Sequence, residues 1–470
     1  MFGEGDALDW EFGPKEALRR WPRAGKVVLL HSGRFHARWA RWSILAEPIG
    51  SYRMGDDGLS QWVGHPEDTP PVRWRHRPFS DLRALLDRTE ALWIGYLSYD
   101  LARWIEKLPR QACDDRAWPV IELGCCPGYL VYDGQTRQWR AHGRWRHGGF
   151  PRLDQEEPKT ASYRTGEPQS LIDRADYEAT VGSVLDYIGA GDVFQVNLSH
   201  RFSAPFKGDY PQAPRGLFDR LATVSPAWYG AYLEMPDDNV TGRHGRVIAS
   251  TSPELFLEAN DAGEVVTRPI KGTCPAHVDP AWLRKSDKDR AELNMIVDLL
   301  RNDLGRVCNY DSIQVVDPRT IESHPTVHHG VATITGRLHP ARDIPGLLRA
   351  TMPGGSVTGV PKVRAMEIID ELEPVRRGPY CGCIGYLSPH GACLNIAIRT
   401  ILIDPNTNLL DYSVGGGIVA DSDPAAEYEE TITKAAAMLA ALRPGESPPP
   451  NCGIGIRNSP RREKPFVSQK

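Results

Sequence analysis

The stretch TRPIKGTCP, residues 267–275, puts one lysine, Lys271, at the end of a hydrophobic strand, between Ile270 and Gly272 and with a proline on either flank. A lysine in such a place is ordinarily a surface residue in a turn, because an ammonium is rarely buried. Overturning that reading takes the rest of the chain. Outward from Lys271, Lys26–Leu30, ALWIGYLSYDL (91–101) and FQVNLSHRF (194–202) read as strands. Tyr177, Val181, Val184, Leu185 and Ile188 share one helical face, and that helix is expected to stop at Gly189. Strands of mixed length and long helices follow one another without a regular β-α beat. The succession predicts an α+β fold with large, mostly antiparallel sheets and flanking helices, rather than a doubly wound one.

Bulk properties narrow the function. The chain has 470 residues, 41% hydrophobic and 25% charged, with a formal net charge of -4. That is an ordinary globular composition with no polyanion-binding signature, so nucleic acid is not expected as a partner. No run approaches the ~18 apolar residues of a membrane span, and the first residues show no secretory pattern. A cytoplasmic location is expected. The nine cysteines are scattered and odd in number, which argues against a disulfide framework. Residues 148–170, rich in Gly, Pro and charge, read as a linker or long loop between an N-terminal part, 1–147, and a catalytic region, 171–442. The Pro-rich tail 443–470 is expected to be disordered.

Three constellations carry chemistry. In DPAAEYEETITKAAAMLAAL (423–442), Asp423 can cap a helix that Pro424 begins, and Glu427, Glu430 and Lys434 then share a face. Tyr428, Ile432, Ala435 and Leu439 form another face. In DRAELNMIVDLLRNDLG (289–305), Asp289 and Glu292 lead into a helix that is apolar almost all round and hence expected to be buried. Carboxylates there need a partner. If the two helices meet, four carboxylates gather, a set suited to Mg2+ with its preference for oxygen. Third, PGGSVTGVPKVRAMEIIDEL (353–372) is a glycine turn running into a helix, a place that favours an anion, although it lacks the Lys and Ser/Thr of a P-loop. Gly415–Gly417 form a second glycine cluster, and Arg399 could fork a carboxylate.

Taken in order, FQVNLS, TSPELF, RPIKGT, DRAELNMIVDLLRNDLGRV, VHHGVATITG, PGGSVTGVPKVRAMEIIDELEP, CIGYLS, NIAIRT and GGGIVADSDPAAEYEETITKA resemble the chorismate-utilising enzymes from about Val27 to Leu442. The resemblance implies that family's two-sheet fold, chorismate as substrate and a Mg2+ site. Glu292 and Glu430 would be direct metal ligands, with Asp289 and Glu427 behind them through water. Glu254 would be the general acid and base, and His329 the active-site histidine beside His328. Tyr386, Arg399, Lys434 and the backbone of Gly416 and Gly417 would hold carboxylate oxygens, with Gly355 and Thr358 in the other glycine turn. Ser32 would belong to the family's amino-acid pocket, although Trp228 in SPAWYGAYL stands where a proline is usual.

Within the family, PIKGT resembles the branch that replaces the 4-hydroxyl of chorismate by an amino group on the way to 4-aminobenzoate and folate, with the lysine as covalent nucleophile. The anthranilate-forming branch has alanine at Lys271. The isochorismate and salicylate synthases carry a lysine base where this chain has Gln195. An ammonium with a pKa of about 10.4 is less than ~0.1% neutral at pH 7, so a nucleophilic Lys271 needs an environment that disfavours its charge. No cysteine lies in a glutaminase nucleophile elbow, so ammonia is expected from a separate glutamine amidotransferase. The alternatives are an anthranilate synthase component I, if Lys271 is inert, or a non-catalytic ligand sensor of the same fold.

Overall fold

The structure is a computed structural model and describes residues 5–154, 162–238, 240–324 and 327–443. Its described strands form two sheets, one of thirteen strands and one of eleven, and every ladder between them is antiparallel. Helices flank both sheets, so the chain has the α+β architecture with large antiparallel sheets that the sequence implies.

Chain order and sheet order differ. In the larger sheet Val28–His31 pairs with Tyr229–Glu234, which leads through Val247–Ser252 and Thr400–Asp404 to Leu409–Ile418 and then Gln195–Gly208. In the smaller sheet Leu92–Leu97 pairs with Cys383–Ser388. Segments from both ends of the chain are thus interleaved in each sheet. Within the span read as a linker, Tyr163–Thr165 and Gln169–Ser170 are short strands against Gln195–Gly208. The tail beyond Arg443 lies outside the described residues.

Alternation sorts the side chains of the sheets. The faces that meet between the sheets make a core cluster of Ile44, Ile94, Leu233, Ile248, Ile384 and Leu402, among others. A second cluster packs the helices Gln212–Val224 and Pro424–Leu442 on the larger sheet, and a third packs Asp287–Gly305 and Lys362–Leu372 against the smaller.

The helices that carry the carboxylates form for legible reasons. Asp423 Oδ1 accepts from the Ala426 N–H at 2.9 Å, with Pro424 in the first turn. The buried face of that helix runs through Glu427, Thr431, Ala435 and Met438, while Tyr428, Ile432 and Leu439 are half-buried. The helix Asp287–Gly305 starts two residues before DRAEL, because Ser286 caps it by accepting from the Asp289 N–H. It is amphipathic rather than buried all round: Leu293, Ile296, Val297, Leu300 and Leu304 pack inward while Asn294, Asp298 and Arg301 face solvent. The helix of Tyr177 spans Arg174–Ala190, one residue past its expected end at Gly189, because Gly191, with φ +86°, supplies the left-handed cap.

Candidate functional site

A cavity of about 1270 Å³ opens where the two carboxylate helices face the lysine strand and the glycine strand. It is roomy enough for a small metabolite. Lys271, Glu254, His329, Arg399, Gly417 and Lys434 all line it, as do the four acidic residues Asp289, Glu292, Glu427 and Glu430.

Lys271 owes its orientation to a β-bulge. Ile270 pairs with Val331 but Thr273 with His329, so three residues on the lysine strand span two on its neighbour. The extra residue is accommodated by Gly272 at φ +80°. The bulge turns Lys271 toward the strand Leu409–Ile418, where a Cβ on Gly417 would lie 2.9 Å from its Nζ. The ammonium is disfavoured first by burial and further by Lys434, against the pull of Glu292, Glu254 and Glu430; its pKa falls below the ordinary lysine value.

Glu254 faces the same cavity and is 5% exposed. Burial pushes its pKa up to about 7, although Ser356 Oγ donates to its Oε1 at 2.6 Å and Lys271 lies nearby. A carboxyl poised near neutrality suits a group that gives and takes a proton. His329 Nδ1 bonds Thr273 Oγ1 at 2.8 Å, and its Nε2 is buried without a partner among the described residues. Burial first, then the charges of Arg399, His324 and His328, hold this imidazole neutral. Alternation puts His329 rather than His328 on the cavity wall, since His328 turns away to Ser323 Oγ and the Ala276 carbonyl. Arg399, at φ +50°, forms no ion pair among the described residues, and burial lowers its pKa to about 10.

Among the described residues, no group of three or more His, Cys, Asp or Glu side chains converges as a metal cage. The four acidic residues share a wall instead. Glu427 Oε2 and Glu430 Oε1 lie 3.3 and 3.9 Å from the place a Cβ on Gly416 would take, with Lys434 Nζ also at 3.9 Å. Lys434 Nζ holds Glu430 at 2.8 Å and donates to the Gly415 carbonyl. Glu427 is raised by burial and by Glu430, and Glu292 by burial with Asp289 and Glu430 adding to it, whereas Lys434 lowers Glu430. An all-oxygen donor set under mutual repulsion fits a hard divalent cation in its chemistry.

Other expected site residues stand elsewhere. Tyr386 does not line the cavity; its place in the alternation turns it into the core between the sheets. Tyr380, six residues earlier in GPYCG, lines the cavity instead, just before Cys381 at φ +60°. In the glycine turn, Ser356 and Val357 form the wall, while Gly355 abuts Leu299 and Thr358 Oγ1 donates to the Gly354 and Gly355 carbonyls. Gly416 faces the carboxylates of the C-terminal helix rather than the open cavity. Ser32 lies outside the cavity wall and donates its Oγ to the Trp42 carbonyl at 2.7 Å. Near it the Trp228 ring packs between His36 and His324.

The profile of the chorismate binding enzyme family matches residues 38–440. The chain belongs to this family. Among chorismate-binding enzymes it is 42% identical over 366 residues to the aminodeoxychorismate synthase component 1 of Salmonella typhimurium, an alignment covering 74% of this chain and 76% of the relative. The protein of the same name from Escherichia coli is 38% identical over 440 residues, covering 88% and 93%. A solved chorismate-binding enzyme, anthranilate synthase component I from Streptococcus pneumoniae, superposes with a TM-score of 0.67 at 28% identity over 86% of this chain and 93% of that one. No helix among the described residues is long and apolar enough to cross a membrane.

For a chorismate-binding enzyme, wall residues that sequence reasoning missed include Tyr380, Ser356 and Asn197. Each sits one to six residues from one it named. The available signal was strand alternation, which separates the two faces but does not say which face meets the ligand.

Proposed function

We infer that this chain makes 4-amino-4-deoxychorismate from chorismate and ammonia, with Lys271 as covalent nucleophile. The observation that carries the reading is Lys271 itself: a lysine with lowered pKa, turned by a bulge into the cavity that holds Glu254. The relatives named aminodeoxychorismate synthase component 1 support it.

Chorismate is a dianion, and Arg399 and Lys434 are cations on the wall able to receive its carboxylates. The neutral Lys271 amine attacks C2, the ring double bonds shift, and the 4-hydroxyl leaves as water with a proton from Glu254. Ammonia then bonds to C4, the double bonds shift back, and the C2–Nζ bond breaks. The added nitrogen, bound first as –NH3+, loses one proton to Glu254, which restores the acid, and the proton that Lys271 shed on bonding to C2 returns to Nζ as the C2–Nζ bond breaks. The net change is hydroxyl out, amino group in, and water released. Glu292 and Glu430, with Asp289 and Glu427 behind them, would hold Mg2+, which when bound supplies positive charge for a substrate carboxylate. The words component 1 in the relatives' names support a separate partner, which we take to be a glutamine amidotransferase delivering ammonia. The chain alone then uses ammonium salts and not glutamine.

The alternative product is anthranilate, favoured by the likeness to an anthranilate synthase component I. The test is product identification with chorismate, Mg2+ and ammonium, with intact mass spectrometry in the absence of ammonia. A chorismate-derived adduct is expected on the parent and not on Lys271→Ala, with aminodeoxychorismate formation falling by orders of magnitude in the variant. Aminodeoxychorismate from Lys271→Ala at the parent rate would sink the covalent reading.

A further inference from the structure

Two amide side chains on the strand Gln195–Gly208, on the face that Lys271 approaches, carry buried polar atoms with no partner among the described residues. Asn197 lines the cavity, is 8% exposed, and its Oδ1 is buried with no partner among the described residues. Gln195 is fully buried, and neither its Oε1 nor its Nε2 has a partner there. Residues two apart on a strand share a face, and residues opposite each other in an antiparallel pair put their Cβ atoms ~5 Å apart on one face. Asn197 is opposite Gly417. Gly417 has no side chain, and the place its Cβ would fill is 2.9 Å from Lys271 Nζ and 3.1 Å from Gln195 Nε2. The lysine and the two amides therefore surround one bare patch of backbone.

A buried amide oxygen without a donor is unfavourable, and a ligand relieves that by donating to it. That ligand is not a carboxylate: an amide oxygen repels another acceptor, and the cations able to receive carboxylates, Arg399 and Lys434, are separate wall residues. It has to be a donor, and of the two donors the reaction brings to C4, the hydroxyl and ammonia, only ammonia is present once the hydroxyl has left. Ammonia carries three N–H groups and one lone pair. Acceptors that hold its hydrogens leave the lone pair free to attack. C2 and C4 of chorismate are separated by one ring carbon, so the seat of a nucleophile for C4 has to adjoin the lysine that attacks C2. We propose that Asn197 Oδ1 accepts an N–H of the incoming ammonia and positions it beside Lys271. The proposal rests on the reading of ammonia as the co-substrate and assigns the place where it binds.

The experiment measures initial rates of total aminated product against ammonium concentration at fixed pH, and separately against chorismate, for the parent, Asn197→Leu and Asn197→Ala. Leu keeps the shape of the amide and removes its acceptor, and Ala answers the same question should Leu fold poorly. The ammonia KM is expected to rise about tenfold in both, the loss of one buried hydrogen bond. The chorismate KM should stay within about twofold, and the adduct seen without ammonia should form as in the parent. An unchanged ammonia KM, a parallel rise in both KM values, or loss of the adduct would each overturn the assignment. Because total aminated product is followed, anthranilate in place of aminodeoxychorismate would overturn the functional reading and still leave the Asn197 comparison decisive. A parent that aminates nothing would overturn both.

Discussion

Ser356 is a small residue placed to set the proton chemistry of a larger one. Its hydroxyl donates to Glu254 Oε1 at 2.6 Å, which favours the carboxylate and holds the pKa below where burial alone would put it. With Glu254 as the proposed proton donor to the leaving hydroxyl, kcat/KM is expected to fall as pH rises through its pKa, about 7. Removing the hydroxyl raises that pKa. Ser356→Ala should therefore move the descending limb of the pH profile to higher pH, and Ser356→Thr should leave it near the parent position; a limb that does not move in Ser356→Ala would deny the bond its role. At this scale the sequence was informative where a residue's chemistry was unusual for its setting. Lys271 between prolines and the paired carboxylates on helices were of that kind. It was uninformative where two similar residues compete for one place. Tyr380 and Tyr386 are both tyrosines in one short run, and only the packing of the sheets sends the second into the core.

Among elements, the bulged strand Ile270–Pro275 matters most. Gly272 has φ +80°, and a Cβ there would meet Asp289 Cβ and Cγ and Leu283 Cδ1 at 2.9 Å. Gly272→Ala thus incurs about 1–2 kcal/mol of backbone strain and presses the bulge against the helix that carries Asp289 and Glu292. Turnover should drop at least tenfold while the urea midpoint shifts modestly; an unchanged kcat would show that the bulge does not set the direction of Lys271. The start of Pro424–Leu442 was legible because its cap, Asp423 followed by Pro424, is local, whereas Asp287–Gly305 starts two residues before the expected Asp289, at a Ser286 cap that the reading passed over. Which face of a helix is buried was less legible, since burial depends on the partner. Asp287–Gly305 looked apolar all round until its neighbours showed which side they cover.

For the whole molecule, the antiparallel two-sheet class followed from the mix of elements and from the resemblance, whereas the strand order did not, because pairing between distant segments leaves no local trace. The buried ion pair of Arg215 and Glu234 binds three such segments. Arg215 Nε and Nη2 hold the two Glu234 oxygens at 2.8 and 2.9 Å, while Nη1 donates to the Trp21 carbonyl. Arg215→Ala leaves the buried Glu234 carboxylate without its countercharge and should cost about 3–5 kcal/mol, read as a lower urea midpoint, with the chorismate KM of the folded fraction unaltered. A stability unchanged by Arg215→Ala would mean that water reaches Glu234. The interleaving also governs how the protein comes into being. The partner of Val196 is Ile418, so at ~5–20 residues per second the edge of Gln195–Gly208 waits about 10–45 s on the ribosome before its neighbour is made. Through that interval the chain exposes a long unpaired edge, the kind of surface that chaperones bind and that seeds aggregates. Glu427, Glu430 and Lys434 arrive later still. A message cut anywhere before the C-terminal helix is expected to yield no partially active fragment, only an open sheet for proteases to clear.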